Sequence, residues 1–228
     1  MKIRINDYDI ILPFGSAIYQ SKFTKDELDF LKMLAEDSRE GENASEKLVG
    51  NIQTQTEPVV KDKNTQERFS EILHPHIVNY LTVDQKRQKV MYENSIRPPD
   101  FVDEEDMQNV TYDLGSGPWF NYMWENEFNP LHAHHGSLSG IAMIQVPTEI
   151  KNERYNAETP NYETHGDLEW VDGNNHYKVI PEEGSIFLFP SYLKHIVYPW
   201  HSHVERITSS WNIFNIDYPN NKIEVAYE

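Results

Sequence analysis

The chain has 228 residues and a formal net charge of −17, from 37 acidic against 20 basic residues, which is enough length for one large domain or two small ones. That charge repels nucleic acid and anionic membranes unless a local basic patch overrides it, and the longest basic cluster, Lys86-Arg87-Gln88-Lys89, reads as the polar face or end of a helix. The absence of cysteine excludes disulfide frameworks, thiolate nucleophiles, iron–sulfur clusters and cysteine zinc sites. The first nine residues carry charges where a signal peptide needs an apolar stretch, and no run of about 18 apolar residues exists to span a bilayer. The expectation is a cytoplasmic protein.

In chain order, the first hundred residues read as mostly helical. Thr24-Lys-Asp-Glu27 has the form of a capping box, followed by Phe30, Leu31 and Leu34 at helical spacing. The polar stretch from Asp37 to Asn64 reads as a loop. A second helix starts near Asn64 or Thr65, with Phe69, Ile72, Leu73, Ile77, Tyr80 and Leu81 along one stripe. Arg97-Pro-Pro-Asp and the acidic run Asp103 to Asp106 mark a boundary. From about Val110 the pattern changes to short apolar or alternating runs punctuated by Gly, Pro and Asn, as in an all-β sandwich or barrel. The expected strands cover 110–114, 118–124, 131–134, 138–146, 167–171, 176–180, 185–189, 195–198 and 204–215. Asp172-Gly-Asn-Asn175 turns a hairpin. The runs 138–146 and 185–189 are nearly all apolar, which implies burial on both faces. Thr148 to Gly166 is a long polar insertion without periodicity, a loop of a length that is uncommon unless it serves function.

Three of the ten histidines cluster in Leu131-His132-Ala-His134-His135-Gly136. Strand alternation would put His132 and His134 on one face, able to meet one metal ion, with His135 pointing away. Downstream, Gly184-Ser-Ile-Phe-Leu-Phe-Pro-Ser191 is a buried strand ending in a turn, and His195 lies four residues beyond it. Arg206 comes eleven residues later. On an extended strand Arg206, Thr208, Ser210 and Asn212 share one face, while Ile207, Trp211 and Ile213 occupy the other. Either that polar face meets water, or it turns inward and the arginine fork with its neighbouring hydroxyl forms a site for a buried carboxylate.

The set Trp119-Phe-Asn121, His132-Ala-His134, Ser139-Gly140, Gly184…Phe189-Pro-Ser191-Tyr-Leu-Lys-His195 and Glu205-Arg-Ile-Thr-Ser-Ser210-Trp-Asn212 resembles the 2-oxoglutarate- and iron(II)-dependent oxygenases. The nearer likeness is to a subgroup found in marine bacteria and phages, and it covers roughly Trp119 to Asn215. The resemblance implies a mainly β fold, a double-stranded β-helix (cupin-like jelly roll) buttressed by N-terminal helices. The whole chain would be one oxygenase domain, with 1–109 as helical support and 110–228 as the jelly-roll core. It implies iron(II) held by His132, His134 and His195, and 2-oxoglutarate as co-substrate with its distal carboxylate on Arg206 and Thr208. Asn121 and Tyr122 lie on the strand before the His-x-His, where related enzymes touch 2-oxoglutarate. Dioxygen and an unidentified primary substrate would be the partners, and the setting would be host cytoplasm if the chain is phage-encoded.

Most of the superfamily has Asp or Glu where this chain has His134, so Asp167 or Glu163 could instead complete the metal's sphere. The resemblance implies a dioxygenase that hydroxylates a peptidyl side chain, by fold analogy with prolyl hydroxylases, or a small metabolite. A cupin-like metalloprotein with non-oxidative chemistry and a non-catalytic jelly-roll module are the competing readings. Thr148–Gly166 would be a lid. His165, His201 and His203 read as solvated loop residues, and Ser191 as a structural turn residue. An edge strand at Lys222–Tyr227 could pair with a second copy in a homodimer.

Overall fold

The computed structural model describes residues 2–5, 7–12, 15–47, 49–57, 63–92, 101–115, 118–156 and 164–219. The expected boundary at Arg97-Pro-Pro-Asp, the terminal strand Lys222–Tyr227 and Glu163 lie outside them.

The first elements are strands, not helix: β1 (Lys2–Ile5), β2 (Tyr8–Ile11) and β3 (Ile18–Lys22). Charged residues among the first nine are cross-strand partners. Arg4 and Asp9 stand opposite each other in the β1–β2 register, and Asp9 accepts from Lys2 at 2.8 Å and Arg4 at 3.2 Å. A charged outermost hairpin also blunts the sheet edge. Helix α1 (Lys25–Ser38) begins at the expected capping box, with the Glu27 amide donating to Thr24 Oγ1 and the Thr24 amide donating to Glu27 Oε2. The polar stretch after it contains a short strand, β4 (Thr54–Thr56). Helix α2 (Lys63–Tyr92) then runs through Pro75 and buries the expected stripe, Phe69 to Leu81.

The remaining strands fall where alternation puts them: β5 (Thr111–Asp113), β6 (Trp119–Met123), β7 (Asn129–His132), β8 (Leu138–Gln145), β9 (Leu168–Asp172), β10 (Asn175–Val179), β11 (Ser185–Pro190), β12 (Lys194–Val197) and β13 (Arg206–Asp217). Helix α3 (Thr148–Asn156) occupies the start of the insertion that carries no periodic signal. Among the described residues the strands form two antiparallel sheets. The larger runs β1-β2-β3-β11-β8-β13-β6-β4, with β5 on β13, and the smaller runs β10-β9-β12-β7. The segment before residue 110 therefore supplies four strands of the larger sheet as well as its helical support.

The two apolar runs are explained by packing on both faces. Along β8, Ile141 and Met143 enter the core between the sheets with Leu168, Trp170, Phe187 and Phe189, while Ala142 and Ile144 pack on the helix side with Leu31, Leu34, Phe69 and Ile72. The larger sheet is thus a wall between a helical layer and an inter-sheet cavity. No helix among the described residues is long and apolar enough to cross a membrane.

Candidate metal and carboxylate site

β7 and β12 pair directly at His132 and His195, whose ring centroids are 4.2 Å apart. β7 ends at His132, so strand alternation does not place His134. Its amide donates to the Ser191 carbonyl at 2.9 Å, which fixes the chain beyond the strand and brings the His134 ring to 4.8 Å from His132 and 5.1 Å from His195. Ser191 thus acts through its carbonyl, a role sequence alone does not reveal. One ring nitrogen from each histidine lies within 4.8 Å of the others. His135 is exposed, as expected.

The ring hydrogen bonds favour one tautomer. His132 Nδ1 lies 2.7 Å from the Pro130 carbonyl and His195 Nδ1 lies 3.2 Å from the Leu193 carbonyl. An Nδ1–H donated to each carbonyl makes Nε2 the lone-pair nitrogen, which suits a metal; at His132 that nitrogen faces Asn129 Nδ2 at 3.3 Å, a contact that a bound metal would replace. Burial lowers the pKa of all three rings, with charge repulsion from neighbouring histidines adding to it at His134 and His195. His134 is pushed down to about 4 and His195 falls well below the ordinary range. Three neutral imidazoles that converge without a carboxylate fit a divalent transition metal. Asp167 is not part of this cluster.

The histidines open onto a cavity of about 270 Å³ that Asn121, Arg206, Thr208, Ser210 and Asn212 also line. The polar face of β13 is therefore turned inward. Arg206 is 1% exposed; its Nη1 donates to the Gly166 carbonyl at 2.7 Å, its Nη2 contacts Met123 Sδ at 3.4 Å, and its guanidinium lies 4.6 Å from the Trp200 ring. Arg206 Nε has no hydrogen-bond partner among the described residues, and the one carboxylate among them that acts on the guanidinium, Asp167, does so through its charge without a hydrogen bond to it. Burial lowers its pKa to about 10, with the nearby Asp167 opposing the shift. A buried cation with an unmatched donor fits a carboxylate ligand. Thr208 Oγ1 accepts from Asn121 Nδ2 at 3.3 Å beside it.

Tyr122 does not belong with Asn121. Successive residues of β6 face opposite sides, so Tyr122 lies in the helix-side core, where its hydroxyl donates to the Ala35 carbonyl and Arg39 covers its ring. The expected lid, Thr148–Gly166, is described only at 148–156 and 164–166. None of the described residues of 148–166 lines the cavity. Instead Ile150 packs with Trp200, while Glu153 accepts from the His201 amide at 3.0 Å and pairs with His165 at 2.6 Å. His165 is therefore buried rather than solvated, while His201 and His203 are exposed. One wall of the cavity comes from Ala44, Val49, Ile52, Gln55 and Glu57, in the stretch that reads as a polar loop.

Residues 117–212 match the family described as "Putative 2OG-Fe(II) oxygenase". That segment holds all three histidines, Arg206, Thr208 and Asn121. The family implies iron(II) as metal and 2-oxoglutarate as co-substrate. A search of curated proteins finds no match. Among solved structures, a prolyl hydroxylase from Trichoplax adhaerens, in complex with a hypoxia inducible factor peptide fragment, is similar over 89% of this chain and 85% of its own, at 13% identity and a TM-score of 0.51. A prolyl-4-hydroxylase from Pseudomonas putida covers 87% of this chain and 92% of its own at 14% identity, with a TM-score of 0.47. The former shows the shared jelly-roll architecture.

Proposed function

With residues 117–212 matching the 2OG-Fe(II) oxygenase family, we propose that the chain is a cytoplasmic iron(II)- and 2-oxoglutarate-dependent hydroxylase. Its metal ligands are His132, His134 and His195, its co-substrate carboxylate site is Arg206 with Thr208 and Asn121, and it acts on a peptidyl side chain or a small metabolite. The observation that carries this reading is the fully buried Arg206, with no carboxylate among the described residues hydrogen-bonded to it, opening onto the same cavity as three neutral histidines. A non-oxidative metal site or a purely structural barrel gives that arginine nothing to pair with.

Iron(II) with 2-oxoglutarate supplies dioxygen activation and the oxidation of a C–H bond. The chain's own residues prepare for it. The Pro130 and Leu193 carbonyls orient two imidazoles, and the Ser191 carbonyl places the third. Arg206, held by the Gly166 carbonyl and the Trp200 ring, presents a charge-assisted fork at low dielectric. Thr208 donates its hydroxyl to the same carboxylate while accepting from Asn121. Phe189, whose ring lies 4.9 Å from that of His195, keeps water from that side of the metal site.

Calorimetric titration of metal-free protein with manganese(II), an inert stand-in for iron(II), tests the ligand set. One equivalent binds the wild type, and His132→Ala and His195→Ala each lose at least about a hundredfold in affinity, since three ligands are the minimum for a resident ion. Unchanged binding in both variants contradicts the site.

A further inference from the structure

Resting on that reading, we propose that the primary substrate carries a cationic nitrogen with N–H donors, received by Gln55 Oε1 on the wall that residues 44–57 build and by Asn121 Oδ1 beside it on β6. Gln55 on β4 stands directly opposite Asn121 on β6, and Asn121 stands opposite Thr208 on β13. The three form one cross-strand row on the inner face of the larger sheet, and all three line the cavity. Gln55 and Asn121 are each 7% exposed, and Gln55 Oε1 and Asn121 Oδ1 have no hydrogen-bond partner. Leaving such acceptors buried and unmet is costly, which points to a ligand that supplies donors.

The co-substrate cannot be that ligand. At neutral pH 2-oxoglutarate is a dianion with acceptor oxygens and no N–H or O–H. It matches Arg206 and leaves the two amide oxygens unmet. Nor does Asn121 escape by turning its amide over. Once Thr208 gives its proton to the co-substrate, its oxygen can only accept, which holds Asn121 Nδ2 toward Thr208 and Oδ1 toward the cavity. Of the two ligands of the reaction, only the other substrate can bring such donors.

Charge favours a cation. A divalent metal with three neutral histidines, the co-substrate dianion, Arg206 and Asp167 sum to zero, so the centre does not repel one. Glu57 lines the cavity at its exposed side, and the chain as a whole carries −17. The wall is also held in place. Asn51 and Phe128 exchange backbone hydrogen bonds at 2.9 and 3.3 Å, and a Cβ on Gly50 would come within 2.6 Å of the Phe128 carbonyl. Gly50 is what lets the segment approach the start of β7. Residues 44–57 lie outside the family-matched residues 117–212, so the N-terminal segment adds Gln55 to an acceptor, Asn121, that lies within them.

The test uses full-length protein loaded with manganese(II) and 2-oxoglutarate, titrated calorimetrically with N-acetyl, N-methylamide forms of lysine, arginine, norleucine and glutamate, and with free L-lysine and L-arginine. The free amino acids separate a small-molecule from a peptidyl source of the same chemistry. At least one basic probe is expected to bind ten times more tightly than norleucine, with glutamate weaker still. Gln55→Met should erase that preference and leave 2-oxoglutarate affinity within twofold. Norleucine or glutamate binding as tightly as the basic probes, no probe binding, or a preference that survives Gln55→Met overturns the proposal. An equal loss for 2-oxoglutarate and all probes makes Gln55 structural and also overturns it. Failure of 2-oxoglutarate to bind the wild type removes the parent reading instead, and this inference with it.

Discussion

Burying an imidazole favours its neutral form, and at this site that serves metal binding at the expense of acid stability. An exposed histidine titrates near 6.5, whereas the folded chain holds His134 near 4 and His132 and His195 below the ordinary value. Between those limits the unfolded chain binds more protons, so metal-free stability rises with pH and falls as pH drops. Denaturant melts of metal-free protein from pH 7 to pH 5 should show a loss approaching about 1.4 kcal/mol per pH unit for each ring that stays neutral when folded. His134→Asn should make the slope shallower. A stability that is flat or rising toward pH 5 contradicts the assignment. At this scale the sequence is most readable where spacing is rigid: His132, His195 and the inward row Arg206–Thr208 follow from order and alternation. The pairing of Asn121 with Tyr122 fails because two neighbours on one strand cannot share a cavity. His134 reaches the cluster through the Ser191 carbonyl, which no local pattern encodes.

Single elements owe their positions to contacts of differing legibility. Helix α3 is anchored by one carboxylate. Burial alone would raise the Glu153 pKa, but hydrogen bonds from the Ser202 side chain, the His201 amide and His165 bring it below the usual range. Glu153→Ala removes the acceptor of the His201 amide and the charged partner of the buried His165, and should cost about 1–3 kcal/mol in a thermal or denaturant melt. No change would mean that the apolar contact of Ile150 with Trp200 carries the helix. Strands β8 and β11 are legible because both faces are buried, and α1 because its capping box is explicit. The hairpin β1–β2 and the three-residue β4 are not. Their charges and brevity mimic loop, and only the register that puts Arg4 against Asp9 and Gln55 against Asn121 gives them a strand's role. The cavity wall was hidden for the same reason.

On the scale of the molecule, the larger sheet has two working faces. One face packs on α1 and α2, and the other carries the polar row from Gln55 to Thr208. The smaller sheet brings His132 and His195 opposite that row. A jelly roll achieves this with antiparallel strands distant in sequence, which is why the site's parts span residues 44 to 212. The most direct measurement is anaerobic titration of iron(II) and 2-oxoglutarate into metal-free protein, read by the weak visible charge-transfer band of a chelated iron–oxoglutarate complex, with Arg206→Met alongside. The account predicts a saturable band in the wild type and at least about tenfold more 2-oxoglutarate needed in the variant, from the loss of charge-assisted hydrogen bonds. Metal binding without the band, or a band indifferent to Arg206, would contradict it.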